Sequence, residues 1–198
     1  MTWPTPVTLL GKLVTLEPLR HEHHDGLVES ARDGELWNLW YTFVPTPLTM
    51  RADIDRRLAM QTAGSMVPFV IIANATRRVV GATGYMNIDA ENKRLEIGHT
   101  WYAASAQRSG INTETKRLLL AHAFEELDCI AVEFRTHFFN RASRTAIERL
   151  GAKLDGILRN HRRGGDGTLR DTCVYSIIAG EWPTVRTHLD FQLHKLRG

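Results

Sequence analysis

Residues 107–115 read QRSGINTET. Positions 107–113 contain no proline, so each offers a backbone N–H, and the Thr-Glu-Thr that follows can open a helix. Unpaired N–H groups at a helix start, at the positive end of the helix dipole, attract anions. Gly110 permits a sharp turn or a close approach to a ligand, and Arg108 adds a positive charge. The chemistry open to this set is the holding of a phosphate. On spacing alone, an ordinary strand-to-helix connection with one glycine is the simpler reading. The loop is not a P-loop, since no Gly-Lys-Ser/Thr closes it. Nor is it a dinucleotide fingerprint, since its glycine count differs and a meander of strands precedes it.

The surrounding pattern predicts the elements that would position this loop. LVTLEPL (13–19) alternates as a first strand, and residues 21–32 follow as a helix with Leu27 and Ala31 at helical spacing. Residues 34–49 are aromatic, end in two prolines and resist assignment. Residues 51–63 read as a second helix, with Ile54, Leu58 and Met60 or Gln61 on a rough face. Strands over 68–74, 79–89 and 95–102 then form an antiparallel meander, in which Gly81 and Gly84 suggest a bulge or a close backbone approach. The quoted loop opens a helix to about 127, with Leu120, Phe124 and Leu127 on one face, and residues 130–138 form a strand. Asn140 is a natural N-cap for a helix that ends at Gly151. A hairpin turns around GGDG (164–167), and residues 181–196 form a terminal helix with Pro183 in its first turn. The class is α+β, and without a repeat or low-complexity linker residues 1–198 are expected to form a single domain.

Composition narrows the functions. The net charge is +3, from 25 basic and 22 acidic side chains, and the densest basic cluster is a Gly-rich stretch that reads as a hairpin tip. Nucleic-acid binding is not expected on that footing. No window approaches the roughly 18 consecutive apolar residues of a membrane span. With no basic leader before an apolar segment, the chain reads as cytoplasmic. Cys129 and Cys173 sit in no CxxC and read as two small buried hydrophobes. His21, His23 and His24 lack a set of further ligands at metal spacing, so they read as a solvated helix start and no metal is expected.

Taken together, LEIGHTWY, the loop QRSGIN, a long helix, VEFRTHF and NRASRTAIERLGA resemble the GNAT acyltransferase family. The family's Gln/Arg-x-x-Gly-x-Gly/Ala pattern falls on Gln107, Gly110 and Asn112, and Asn112 departs from the usual small residue. Asn140, Ser143, Glu148, Leu150 and Gly151 match the later Asn-x-x-Ser and Glu-x-Leu-Gly elements. The opening strand and helix and the closing hairpin and helix resemble the RimJ/RimL-like branch, so the resemblance spans nearly the whole chain. It is weakest over residues 34–66.

The resemblance implies a GNAT fold, a mixed and mostly antiparallel sheet with a central splay flanked by helices. It implies acetyl-CoA as co-substrate. The main chain at Trp101 and Tyr102 would pair with pantetheine. Gln107, Arg108, Ser109, Gly110, Ile111, Asn112 and Thr113 would take the pyrophosphate, and Asn140 would reach the pantetheine amide. Glu96 is the candidate base, placed by alternation on one face with Gly98 and Tyr102. His99 would alternate with Leu95, Ile97 and Trp101, where a core histidine is the simpler reading. Ser143 is the candidate residue near the sulfur, with Tyr175 as the alternative acid. Trp37, Trp40 and Tyr41 are expected at the acceptor site. The acceptor would be an amine, either a peptide N-terminal α-amine or a small amine such as an aminoglycoside. Asp33, Glu35, Asp53 and Asp55 keep that second class open, and a non-catalytic acyl-CoA sensor is the reading from another class. A homodimer is left open.

Overall fold

The computed structural model describes residues 3–164 and 167–195. Among these, eight strands form one sheet: β1 (Leu9–Leu10), β2 (Val14–Pro18), β3 (Met66–Ala73), β4 (Arg78–Asp89), β5 (Arg94–Tyr102), β6 (Ala131–His137), β7 (Lys153–Arg163) and β8 (Leu169–Ile178). Their order across the sheet is β1-β2-β3-β4-β5-β6-β8-β7. Every neighbouring pair is antiparallel except β5 and β6. The predicted meander is β3–β4–β5. The predicted final hairpin is β7–β8, although Gly165 and Asp166 at its tip lie outside the described residues.

Each face of the sheet carries its own core. β3 is buried along its whole length because it feeds both. Val67, Phe69 and Ile71 join Leu16, Tyr85, Leu95 and Ile97 on one face. There they meet Leu119 and Leu120 of α3 (Ile111–Ala121), Ile147 of α4 (Arg141–Arg149) and Leu189 of α5 (Trp182–Lys195). Val70 and Ile72 face the other way, with Ala82 and Trp101, against Leu27 and Ala31 of α1 (His24–Arg32) and Met50 and Ile54 of α2 (Met50–Thr62). A continuous apolar run, rather than an alternating one, is what a strand covered on both faces requires.

Several elements differ from the sequence expectation. The helix expected from residue 21 starts with a 3₁₀ turn, His21–His23. Residues 34–49 contain only a 3₁₀ turn at Leu36–Asn38. The helix expected to reach 127 leaves α geometry after Ala121 and widens into a π turn, His122–Glu126. The hydroxyl of Tyr85 donates to the Leu119 carbonyl there (2.7 Å), taking up an acceptor that the helix would otherwise use.

The buried face of α2 also differs. It is formed by Met50, Asp53, Ile54 and Arg57, while Leu58 and Met60 are only partly covered. A charged pair one turn apart is invisible to an apolar-periodicity reading. Arg57 Nε donates to Asp53 Oδ2 at 2.6 Å, and Arg56 Nη2 donates to Asp53 Oδ1 at 2.5 Å. Burial acts to raise the Asp53 pKa, but the Arg57 charge and the two arginine hydrogen bonds hold it below the usual carboxylate value. The Arg57 terminal nitrogens are buried with no hydrogen-bond partner, so Asp53 is the only counter-charge in contact among the described residues. Asp53→Ala should therefore destabilise the fold by about 3–5 kcal/mol in urea unfolding. Because the native pKa lies below the unfolded ~3.9, this contribution is complete above about pH 4 and lost as pH falls below it. The gap between wild type and variant should close over that acidic range.

Candidate active site

The site begins where the one parallel pairing ends. β5 and β6 pair at Arg94–Ala131, Leu95–Val132 and Glu96–Glu133, and no further. Beyond that point β5 stays with β4 and β6 stays with β8, so the strands part and leave a V-shaped opening. On its other side β5 carries a bulge. Gly84 pairs with Gly98 and Ala82 with Trp101, so two steps along β4 answer three along β5. His99 takes up the extra residue with φ 50. The bulge changes which side chains share a face. Trp101, not Tyr102, follows Glu96 and Gly98, and the Trp101 side chain is buried in the α1–α2 core. Tyr102 falls on the α3 side with Ile97. Strict alternation failed here because one inserted residue inverts every later side chain.

A cavity of about 750 Å³ runs through the opening, within the usual range for small-ligand sites. At one end lies the loop of residues 107–113. Gln107 is extended, Arg108 has φ 60, and Gly110 caps α3 with φ 85, a conformation that favours glycine. Ile111, Asn112 and Thr113 form the first turn of α3. Asn112 is therefore helical, and the left-handed geometry of the loop falls to Arg108 and Gly110. The Asn112 side chain lines the cavity with those of Gln107 and Arg108. The carboxylate of Glu114, in the same turn, is turned away to accept the backbone N–H groups of Leu13 (2.5 Å) and Val14 (2.9 Å). The one acidic residue at the helix start thus faces β2 and leaves the loop free of negative charge. Ser109 Oγ donates to the Ala106 carbonyl (2.5 Å) and Thr113 is buried, so these two side chains shape the loop from within.

Glu96 stands at the apex, the last residue of β5 paired with β6. It is buried but lines the cavity, and a Cβ at Gly98 would meet its Oε1 at 2.8 Å and Met86 Sδ at 2.6 Å. Glycine at position 98 leaves that space to the carboxylate. Burial raises the Glu96 pKa. A hydrogen bond from Asn87 Nδ2 (2.6 Å) and the nearby Arg135 guanidinium (3.6 Å) work the other way. His99 also lines the cavity, contrary to the core position expected for it. Burial, together with the charges of Arg57 and Arg56, pushes its pKa down to about 4, so it is neutral at pH 7. Asn140 caps α4, accepting the Ser143 N–H at 3.0 Å, and both residues line the cavity. The Ser143 hydroxyl makes no hydrogen bond among the described residues.

Tyr175 is not brought to this cavity. Its ring is in the larger core, and its hydroxyl accepts from Arg144 Nε (3.0 Å) and donates to Glu148 Oε1 (2.8 Å). Trp37 likewise packs against the α1–α2 core. Trp40 is 61% exposed at the rim, edge-on to His137 with ring centres 5.1 Å apart, and only Tyr41 of the three expected acceptor residues lines the cavity. Thr42, Phe43, Met86, Arg135, His137, His161, Arg162 and Arg170 complete that end. The strand residues among them were legible only as parts of a sheet, because which strand faces which is set by topology.

The N-terminal histidines each have a local partner. His21 lies 2.8 Å from Asp55, His24 lies 2.8 Å from Asp25, and His23 lies 3.6 Å from Glu17. Among the described residues no group of three or more His, Cys, Asp or Glu side chains could hold a metal. Cys129 and Cys173 are buried free thiols, and burial pushes Cys129 up to about 11. No helix among the described residues is long and apolar enough to cross a membrane.

A sheet split at one parallel pair, with a glycine-capped helix start at the split, is the architecture of the GNAT acyltransferase fold. The acetyltransferase (GNAT) domain model matches residues 14–153. The chain is 33% identical over 102 residues to the putative ribosomal N-acetyltransferase YdaF of Bacillus subtilis, covering 52% of this chain and 55% of that protein. A putative acetyltransferase from T. thermophilus shares 34% identity with TM-score 0.84, over 96% of this chain and 99% of its own. Mycobacterium smegmatis RimJ, solved in complex with CoA-disulfide, shares the fold at 22% identity and TM-score 0.78, over 96% of each chain. The chain belongs to the GNAT family, whose members use acetyl-CoA, and is an N-acetyltransferase.

Lys116 is a cavity residue that sequence reasoning missed. It lies on α3, one turn past the loop, between the diverging strands. Its Nζ donates to Thr100 Oγ1 of β5 (2.7 Å) and lies 6.0 Å from the Phe134 ring of β6. Burial with no carboxylate partner pushes its pKa down to about 7. The only signal in the sequence is a lysine at a helical position otherwise turned to the core. Its unfolded pKa is near ~10.4, so between about pH 7 and that value the unfolded chain binds the extra proton. This residue's contribution to stability therefore rises with pH there, by at most about 1.4 kcal/mol per pH unit. Lys116→Met should be more stable than wild type in urea at pH 7, and its advantage should shrink steadily between pH 7 and pH 10.

Proposed function

We propose that the chain transfers the acetyl group of acetyl-CoA to an α-amine by direct attack within a ternary complex. The observation that carries this reading is the position of Glu96, a cavity-lining carboxylate on the last residue pair before the strands part. The loop of residues 107–113 holds the pyrophosphate through its N–H groups. The unpaired edge of β5 beyond Glu96 receives pantetheine, and Asn140 adds a contact to its amide.

An α-amine titrates near ~7.7–8, so roughly one in ten is already neutral at pH 7, while a lysine near ~10.4 is far less so. A modest base suffices for the first. Glu96 fits, because burial makes it more basic than an exposed carboxylate. His99, at about 4, is the weaker choice. The amine nitrogen forms a bond to the thioester carbonyl carbon, the carbon–sulfur bond breaks, and the amine proton passes to Glu96. The CoA thiolate, with a pKa near a cysteine's ~8.5, leaves with a hydrogen bond from Ser143. Tyr175, held by Arg144 and Glu148, is no longer the alternative acid.

The name of one relative, a putative ribosomal N-acetyltransferase, supports a protein amine as acceptor. A polycationic aminoglycoside calls for an acidic pocket, and the four carboxylates that kept it open are elsewhere. Asp53 is locked to Arg56 and Arg57, Asp55 to His21, Asp33 to Ser105, and Glu35 to Asn38. None of them lines the cavity. A ligand sensor needs no cavity-lining base, so Glu96 weighs against that reading too.

Glu96→Gln should lower kcat by about 10²-fold or more with peptide acceptors. Acetyl-CoA should still raise the variant's melting temperature. In wild type kcat/KM should rise with pH through a limb above the usual carboxylate range, as Glu96 loses its proton, and the variant should lack that limb. An unchanged kcat in Glu96→Gln would assign the proton to another acceptor.

A further inference from the structure

The acceptor end of the cavity carries cations in excess of anions. Arg135, Arg162 and Arg170 line it, and Glu96 is its sole carboxylate among the described residues. Arg135 is already paired, with Nη2 2.8 Å from Glu133 Oε2. Arg162 and Arg170 are not, since neither forms a salt bridge among the described residues. They are also cross-strand partners in the β7–β8 register, where like charges repel. Arg170 Nε is buried with no hydrogen-bond partner. The imidazoles of His137 and His161 beside them are pushed towards neutrality by burial and these arginines, and supply no counter-charge.

This juxtaposition is built by a second bulge. Leu158 pairs with Thr172 and Arg162 with Arg170, so four steps along β7 answer two along β8. Asn160 takes a left-handed φ of 49 inside it. The Asp171 carboxylate fixes it, accepting the Asn160 N–H (2.8 Å) and Arg159 Nε (2.6 Å). His161 Nδ1 lies 3.1 Å from Thr172 Oγ1 on the cavity side. Bulges beside active sites re-aim side chains. Here the re-aimed residue is Arg162, set opposite Arg170, with Asp171 spent on the bulge itself and Glu96 acting on both arginines through space without a salt bridge to either. Arg170 Nε has no partner and the exposed Arg162 stands across from it in register, an arrangement that an anion between them would relieve, and planar forks of donors fit a carboxylate.

We infer that Arg162 and Arg170 form a carboxylate subsite, and that the preferred acceptor is an amine bearing a carboxylate near the reacting nitrogen. This deepens the α-amine reading above and rests on it. The source of the carboxylate is either an acidic side chain within the first residues of a peptide or the α-carboxylate of a free amino acid.

The test compares peptides that differ only by Glu or Gln at the second residue, and free alanine against its α-amide, by thiol release from acetyl-CoA. For wild type, kcat/KM should favour the carboxylate-bearing member of at least one pair by roughly tenfold or more. Preference confined to the peptide pair identifies a peptide side chain, and preference confined to the free amino acid identifies its α-carboxylate. In Arg162→Gln/Arg170→Gln that ratio should fall to within about twofold of one, chiefly through KM for the acidic member, and Arg162→Lys should retain part of it. The acetyl-CoA-induced rise in melting temperature should persist in the double variant, separating a lost subsite from a lost fold. Turnover of both members of each pair at equal efficiency overturns the subsite and leaves the α-amine reading intact. No turnover of any peptide or amino acid, with acetyl-CoA still stabilising the protein, overturns both.

Discussion

The parallel pairing of β5 with β6 lasts three residues, and the form of the site follows from where it stops. Each strand is bound on its far side by an antiparallel partner, β5 by β4 and β6 by β8. Sheet twist rotates neighbours relative to one another, and a bulge steepens that rotation locally. With the His99 bulge in β5 directly after Gly98, the strand follows β4 and departs from β6. Backbone groups left without a ladder are tolerable only where water or a ligand can reach them. Here they face an open cavity, so the break in the sheet and the ligand site are one feature.

The two ends of that cavity are built by different means. At the loop end the donors are main-chain N–H groups at the start of α3, oriented by the backbone at Arg108 and Gly110. At the acceptor end the wall is made by side chains from β5, β6, β7, β8 and the 41–43 segment. Between them sits Glu96, whose elevated basicity comes from burial opposed by Asn87 and Arg135. Lys116 lies below the opening on α3, an amine whose proton is loosened by burial and whose Nζ donates to Thr100. The net charge of +3 gives no hint of this concentration, because distribution and not total decides what a site attracts.

How much of this the sequence disclosed depends on the range of the interaction. The cap at Asn140, the turn at Gly110 and the buried run of β3 follow from local rules, and all were legible. The order of strand, loop, helix and strand sufficed for the family. What was not legible came from non-local geometry. A single-residue bulge exchanged the faces of Trp101 and Tyr102, and nothing near His99 announces it. Tyr175 and Trp37 were drawn into cores by partners far away in sequence. The Asp53–Arg57 pair occupies a face that periodicity assigned to Leu58 and Met60, since a paired charge can be buried where hydropathy forbids a lone one. Lys116 and Arg170 look like ordinary surface charges until the fold covers them.

The Asp171-clamped bulge in β7 has an evolutionary consequence. It consists of two extra residues in one strand of the terminal hairpin, remote in sequence from the loop of residues 107–113 and from Glu96. Deleting two of the three residues between Leu158 and Arg162 would return the strand to plain register with Arg162 still across from Arg170, but would remove at least one of the two groups that hold the Asp171 carboxylate and free it to pair with the arginines. An insertion or deletion of that size is a single genetic event. On the proposed reading, acceptor preference can therefore change in one step through the hairpin, while the loop of residues 107–113 and Glu96 stay untouched.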